Sequence, residues 1–289
     1  MVVYALLIAH LLADFYFQPS SLANGKLKKL PLALLHFAIY TVTLVIPLML
    51  FTAPDQIWKA LLIIAGSHCL IDSVRILIEK NTKQKYPILL FVTDQALHIL
   101  IILCVYWFLL QSTTVHTSSF VSRNCLIDFT AVQNALLYVL IVLFALLPEA
   151  IFVKKLLQSL PQKEQPKLNS HKRARSIHKA LVQTMGSHRD DIAVRSYVKK
   201  ATTLPVPSHK QDQNMGLIIG MLERVLVVVF ILVGQYSSIA FVIAAKSIAR
   251  FKQLEDQAFA EKYLIGTLSS VALAMLTTAL LSNFFIVNP

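Results

Sequence analysis

Eight long apolar runs, at roughly residues 2–17, 30–51, 57–79, 87–110, 134–153, 217–234, 236–250 and 263–287, set the limits on what this chain can fold into. Most reach the roughly 20 residues that a helix needs to cross a hydrocarbon core of about 30 Å. In lipid every backbone N–H and C=O must be satisfied within the chain, and runs of this length do that as helices. The expected fold is therefore all-α: a polytopic transmembrane helical bundle of about eight spans, with six or seven as the alternatives. The first and seventh runs are short and suit tilted, re-entrant or half-spans. The first carries His10 and Asp14 and has neither a basic leader nor an A-x-A-like site, so it reads as a retained span rather than a secretory signal.

Composition agrees with that reading. The 289 residues are 56% hydrophobic and 15% charged, against about 25% charged in an ordinary soluble domain. Cys69, Cys104 and Cys125 share no C-x-x-C spacing, which excludes a cysteine-rich zinc module and argues against a disulfide framework. The net charge of +12 is concentrated: residues 154–213 hold thirteen Lys/Arg against four Asp/Glu.

Loop charge predicts orientation. Lys26, Lys28 and Lys29 follow the first run, and Lys80, Lys83 and Lys85 follow the third. The long basic segment follows the fifth, and Arg250 and Lys252 follow the seventh. The intervening loops hold almost no Lys or Arg, Arg123 being the exception. Strict alternation places the basic loops in the cytoplasm and both termini outside, as in a multi-pass protein of the cell inner membrane. The chain then divides into a four-helix membrane domain (1–110), an outer loop with the fifth span (111–153), a basic cytoplasmic loop between spans five and six (154–213) and a C-terminal three-helix region (214–289). The basic loop suits contact with anionic lipid, at about 1 kcal/mol per basic residue near the surface, or recruitment of a protein partner. Nucleic acid is disfavoured, because Tyr197 is the only aromatic residue there on which a base could stack.

Ionisable side chains inside spans cost about 2.5–3.5 kcal/mol for Asp at a helix centre, so each one is a candidate for function. The first run has His10-x-x-x-Asp14 followed by Gln18, and the second has His36. The third has His68-x-x-x-Asp72 and then Arg75, and the fourth has Asp94-Gln95-x-x-His98. An i, i+4 spacing puts both members of a pair on one helix face. Given the alternating directions of the spans, all seven His and Asp groups are expected within two or three turns of the cytoplasmic boundary, where four packed helices can gather them. His10, Asp14 and His36 also match His68, Asp72 and His98 as a weak repeat of one helical hairpin.

Imidazole and carboxylate suit zinc, manganese or iron. Seven groups exceed the four positions of one zinc, so two metals, or one metal with carboxylates orienting its imidazoles, fits the number better. The structural alternative is a set of His–Asp hydrogen bonds that locks the bundle. A second polar set comprises Glu223, Arg224, Lys246, Arg250 and Glu261, preceded by Gly216-x-x-x-Gly220, a pattern suited to close helix packing. It reads as an ion-pair network or as an anion pocket for a phosphate head group.

At these residues the sequence resembles a bacterial membrane family known as domain of unknown function 3307. The N-terminal motifs above carry the resemblance over about 110 residues. Gly216-x-x-x-Gly220-x-x-Glu223-Arg224, Lys246-Ser247-Ile248-x-Arg250-Phe251 and Ala260-Glu261-x-x-Leu264-Ile265-Gly266-Thr267-Leu268 are similar to the C-terminal region of its longer members. The resemblance implies a membrane fold and brings no established activity. A looser similarity to membrane-bound metal-dependent hydrolases suggests one reading. The H-x-x-x-D pairs, similar to those of cation-diffusion transporters, suggest a divalent-metal or proton-coupled transporter, and a non-catalytic scaffold or regulator is the third. No G-x-S-x-G, P-loop, Rossmann fingerprint or H-E-x-x-H is present.

Overall fold

The computed structural model describes residues 1–18, 30–82, 86–111, 129–160 and 209–285. Most of the basic segment, the loop lysines Lys26, Lys28, Lys29, Lys83 and Lys85, and the loop carrying Arg123 and Cys125 lie outside these residues. Residues 1–159 and 220–289 form one compact unit, and residues 160–219 form another.

All regular structure among the described residues is helical: α1 (Val2–Leu11), α2 (Leu30–Phe51), α3 (Pro54–Thr82), α4 (Pro87–Val105), α5 (Phe129–Leu146), α6 (Pro148–Ser159), α7 (His209–Leu232), α8 (Tyr236–Ala249) and α9 (Gln257–Phe285). Each of the eight apolar runs falls on a helix or on a pair of helices. Among the described residues, five helical stretches are long and apolar enough to cross a membrane: Pro31–Phe51, Pro54–Thr82, Pro87–Leu110, Phe129–Ser159 and Gln257–Asn283. The first and seventh runs form the shorter apolar helices Val2–Tyr16 and Tyr236–Ala249. The outward faces of the long helices carry large apolar side chains, such as Leu62 at 77% exposure and Phe108 at 84%. Such surface is a liability in water and the ordinary face of a helix in lipid. These features describe a multi-pass membrane protein.

Local chemistry sets the helix ends. Proline opens α3, α4 and α6 at the first residue, where a missing N–H costs no hydrogen bond. The chain reverses from α7 into α8 at Gly234, whose φ of 76° only glycine adopts without strain. There the Gln235 N–H donates to the Phe230 carbonyl at 2.7 Å and the Gly234 N–H to that of Ile231 at 3.0 Å, the paired bonds of a Schellman end. Asp256 caps α9 by accepting from the Phe259 N–H at 3.0 Å.

Helices enter the basic segment from both sides. Helix α6 runs through Lys154 and Lys155 to Ser159, past the start drawn for the basic segment, and α7 begins at His209. The long lysine stem tolerates this: Lys155 Nζ lies 5.9 Å from the centre of the Phe91 ring. Among the described residues no other helix packs closely on Gly216 or Gly220. A Cβ at Gly216 would meet nothing within 4 Å, and one at Gly220 would meet only the Arg224 guanidinium at 3.4 Å. The close approach falls instead at Gly266 on α9, where a Cβ would lie 3.3 Å from Leu157 of α6.

Helices α1 to α4 pack in sequence as neighbours, with α5 against α1. Their apolar core includes Leu6, Leu44, Leu48, Ile64, Ile102 and Ile141, all at 1% exposure or less. On every helix of the first four, this layer lies to one side of the His and Asp positions. Val227, Ile239 and Ala274 join α7, α8 and α9 in a smaller cluster.

Candidate metal centre

Asp14 stands at the centre of the cluster, and a local distortion puts it there. Helix α1 continues as a π turn over Leu12–Tyr16, closed by the Phe17 N–H donating to the Leu12 carbonyl at 2.8 Å. A π turn widens the helix by one residue, a feature common at functional sites. The Asp14 side chain is 7% exposed, and its two oxygens face different partners. His68 Nε2 lies 3.0 Å from Oδ1, and His36 Nε2 lies 3.3 Å from the same oxygen. Gln95 Nε2 donates to Oδ2 at 3.1 Å. His36 Nε2 also lies 3.4 Å from Asp72 Oδ2, so α1, α2 and α3 converge on one small volume.

The other imidazoles adjoin it. The His68 and His98 rings stack at 4.4 Å, His36 and His68 lie 5.3 Å apart, and His10 and His98 5.2 Å apart. All four histidines are 2% exposed or less. The seven residues singled out in the sequence therefore meet in one buried cluster, joined by residues of both hairpins. Within it, His10, Asp14 and His98 form one group able to hold a metal ion, and Asp14, His36 and His68 form another.

Hydrogen bonds assign different roles inside the cluster. The Gln95 amide donates to Asp14 Oδ2 and to Asp94 Oδ2, both at 3.1 Å, so its carbonyl oxygen is the acceptor facing His10 Nε2 at 3.2 Å. That fixes the His10 proton on Nε2 and leaves Nδ1 to accept from the Tyr40 hydroxyl at 3.1 Å. His10 is thus held on both sides. His98 is the opposite case: both of its ring nitrogens are buried without a hydrogen-bond partner among the described residues, as is Asp94 Oδ1. A buried polar atom left without a partner is costly, which sets His98 apart from the other imidazoles of the cluster. Arg75 donates to Asp94 Oδ2 at 2.8 Å and, with its side chain 24% exposed, marks the more open side of the cluster.

Tyr40 and Gln95 went unassigned in the sequence. Tyr40 lies one turn after His36 on the same face, packs its ring in a tilted contact with His68 at 3.6 Å between centres, and is 1% exposed. Its i+4 offset from a histidine, matching the H-x-x-x-D pairs, was the available signal.

The second polar set splits. Lys246 Nζ pairs with Glu223 at 2.5 Å, and Lys246 and Arg250 lie 5.4 and 6.0 Å from the Tyr263 ring centre. Glu261 accepts from Gln257 on the exposed start of α9. Arg224 turns away from them and is 4% exposed. Its Nε and Nη2 donate to the carbonyls of Ala145 and Leu146 and its Nη1 to Ser270 Oγ. Those carbonyls lie at the break where Pro148, lacking an N–H, interrupts the helical ladder between α5 and α6. Tyr16, the last residue of the π turn, donates to the Leu143 carbonyl at 2.8 Å, so the same break is held from the side of Asp14. Beside it lies Glu149, 2% exposed. A proline–acid pair inside an apolar run was its visible mark.

Residues 2–127 match the family described as protein of unknown function, DUF3307. The matched region is the N-terminal part of the chain. It contains all seven His and Asp positions together with Tyr40, Arg75 and Gln95, whereas Glu149, Arg224 and the Lys246 set lie beyond it. No curated protein and no solved structure matches the chain.

Proposed function

We propose that this is an eight-span protein of the bacterial cytoplasmic membrane that holds a divalent metal at the DUF3307 cluster and uses it to hydrolyse a lipid-linked or phosphorylated substrate. One observation carries the metal reading. At a tetrahedral zinc, with bonds of about 2.0–2.1 Å, ligand atoms sit about 3.3 Å apart. The separations from Asp14 Oδ1 to His36 Nε2 and His68 Nε2 are 3.3 and 3.0 Å, and these three residues form a group able to hold a metal ion. They are the ligands of the reading, with zinc, manganese or iron as the ion, and Asp72 stands behind His36 at 3.4 Å. His98, whose ring nitrogens have no hydrogen-bond partner among the described residues, and Asp94 are the groups that would serve a second ion or a substrate, with His10 held beside them by Gln95 and Tyr40.

A bound ion of this class supplies an acidified water and a Lewis acid. The chain does the rest. Gln95 fixes the Asp14 carboxylate and the His10 tautomer together, Arg75 holds Asp94, and the apolar layer of Leu44, Leu48, Ile64 and Ile102 closes the far side. That layer favours a site entered from one side over a transport path, which needs polar groups on both sides of its binding site. With the basic loops in the cytoplasm, entry is from the cytoplasmic face. The segment 154–213 rests on anionic lipid or a protein partner, and Lys246 and Arg250 offer cations to a head group.

The test is elemental analysis of the purified protein, followed by assay of a phosphoester probe such as p-nitrophenyl phosphate with and without chelator. Bound metal at about one equivalent or more, with hydrolysis lost on chelation, is the expected result. Metal flux into proteoliposomes without hydrolysis would replace this reading with the transporter. Ligand imidazoles must be neutral, so the metal should stay bound at neutral pH and dissociate as the pH falls and they protonate. Replacing Gln95 with leucine should weaken metal binding by about 10–100-fold, the usual loss when a residue orienting a ligand is removed. A metal titration with unchanged affinity would show that Gln95 has no such role.

A further inference from the structure

We propose that Glu149 is a proton-binding carboxyl at the break between α5 and α6, carrying an exchangeable proton inside the helical bundle. The proposal is independent of the metal reading and concerns residues outside the DUF3307 region. Glu149 is the second residue of α6 and is 2% exposed. The Thr277 hydroxyl of α9 donates to its Oε1 at 2.7 Å. Its Oε2 is buried with no hydrogen-bond partner among the described residues.

The contrast with the other buried acids makes the argument. Asp14 takes donors from His68 and Gln95, and Asp94 takes them from Arg75 and Gln95. These are the partners that a carboxylate requires away from water. Glu149 has one neutral donor and no cation within ion-pair distance among the described residues. An anion placed there would be desolvated and largely uncompensated, whereas a neutral acid suits the site.

The groups facing Glu149 bear this out. From α7 comes Arg224, but three of its donors are aimed at the carbonyls of Ala145 and Leu146 and at Ser270. Tyr16 of the π turn is bound to the Leu143 carbonyl. Helix α5 offers only the Tyr138 phenol, which is exposed, and on α9 the ionisable residues are confined to Glu261, Lys262 and Tyr263, more than three turns from Thr277. On α6 itself Lys155 is directed to Phe91, within electrostatic range of Arg75, Glu79, Asp94 and Lys154. A proton taken up or lost at Glu149 therefore changes the charge beside Arg224 at the one place where this span is interrupted.

The experiment is infrared difference spectroscopy on the full-length protein in lipid nanodiscs, wild type against E149Q. A neutral carboxylic C=O stretch, present at neutral pH in wild type and missing in E149Q, is expected. It should shift in D2O and fade as the pH rises. E149D, which keeps an acid, should move the band rather than abolish it, and T277V should shift it by removing the hydroxyl that bonds Oε1. Spectra in which neither E149Q nor E149D differs from wild type in this region at neutral pH would overturn the proposal.

Discussion

H68A protein is expected to lose its bound metal entirely on desalting, where wild type retains about one equivalent. The reason is positional. His68 Nε2 lies 3.0 Å from Asp14 Oδ1, and its ring packs between Tyr40 and His98 at 3.6 and 4.4 Å. Truncation removes a ligand and the ring that spaces two of its neighbours. The loss should therefore exceed the about 10–100-fold that follows removal of a residue merely orienting a ligand. D14N is the sharper variant, because it keeps the shape and the Gln95 contact while cancelling the charge shared by two imidazoles. It should lose metal as completely, with little change in unfolding. S73A, on an exposed face of α3 and bonded only to the Cys69 carbonyl, should keep both metal and stability. Metal content is read by elemental analysis and stability by unfolding of the same samples. Equal metal in wild type, H68A and D14N would remove the metal proposal and leave a hydrogen-bonded helix lock. Loss in both variants without loss of folding would exclude the lock as the main role.

The reach of sequence over this site follows from what spacing encodes. An i, i+4 pair states which helix face its members share, and antiparallel connection states their depth. Those two facts predict that His10, Asp14, His36, His68, Asp72, Asp94 and His98 meet, and they do. Spacing does not encode rotation of one helix about its axis relative to another. It therefore could not divide the cluster into groups that converge on Asp14 and groups that Gln95 and Tyr40 immobilise. The π turn at Leu12–Tyr16 was equally hidden, since it changes the register by one residue without any change in composition. Tyr40 has the same offset from His36 as each Asp from its His, and an aromatic hydroxyl inside an apolar run is easily read as packing.

In the second half, legibility falls for a different reason. Glu223, Arg224 and Lys246 look like one charged set because they share a depth, yet adjacent residues on a helix point about 100° apart. Glu223 accordingly meets Lys246 on α8, while Arg224 crosses to the α5–α6 break. The pattern Gly216-x-x-x-Gly220 suggested a helix contact. The room at Gly220 is instead taken by the Arg224 side chain from one turn further on. Small residues make space without naming what fills it.

Arg224 is where the division of this charged set has the largest consequence for stability. Pro148 removes one N–H from the ladder, and its ring displaces the helix from the preceding turn, so carbonyls near the break need other donors. In lipid there is no water to supply them. Tyr16 satisfies Leu143, the Ile151 N–H satisfies Leu147 at 2.9 Å, and Arg224 alone reaches both Ala145 and Leu146. In R224M these two acceptors and Ser270 are left bare, at about 1–3 kcal/mol for each unsatisfied buried group. Some of that is offset because a desolvated charge is also removed. A net loss of about 3–5 kcal/mol is expected, the scale seen when a buried charged network is broken, read as a lower midpoint for unfolding in SDS. R224K keeps the charge but not the planar fork that spans two adjacent carbonyls, so it should fall between R224M and wild type. S270A, losing one neutral partner, should cost about 0.5–1.5 kcal/mol. The folded fraction of R224M should still bind metal, since no ligand of the DUF3307 cluster touches the guanidinium. An R224M protein as stable as S270A would mean that the break is held by its packing against α9 and that the arginine contributes little.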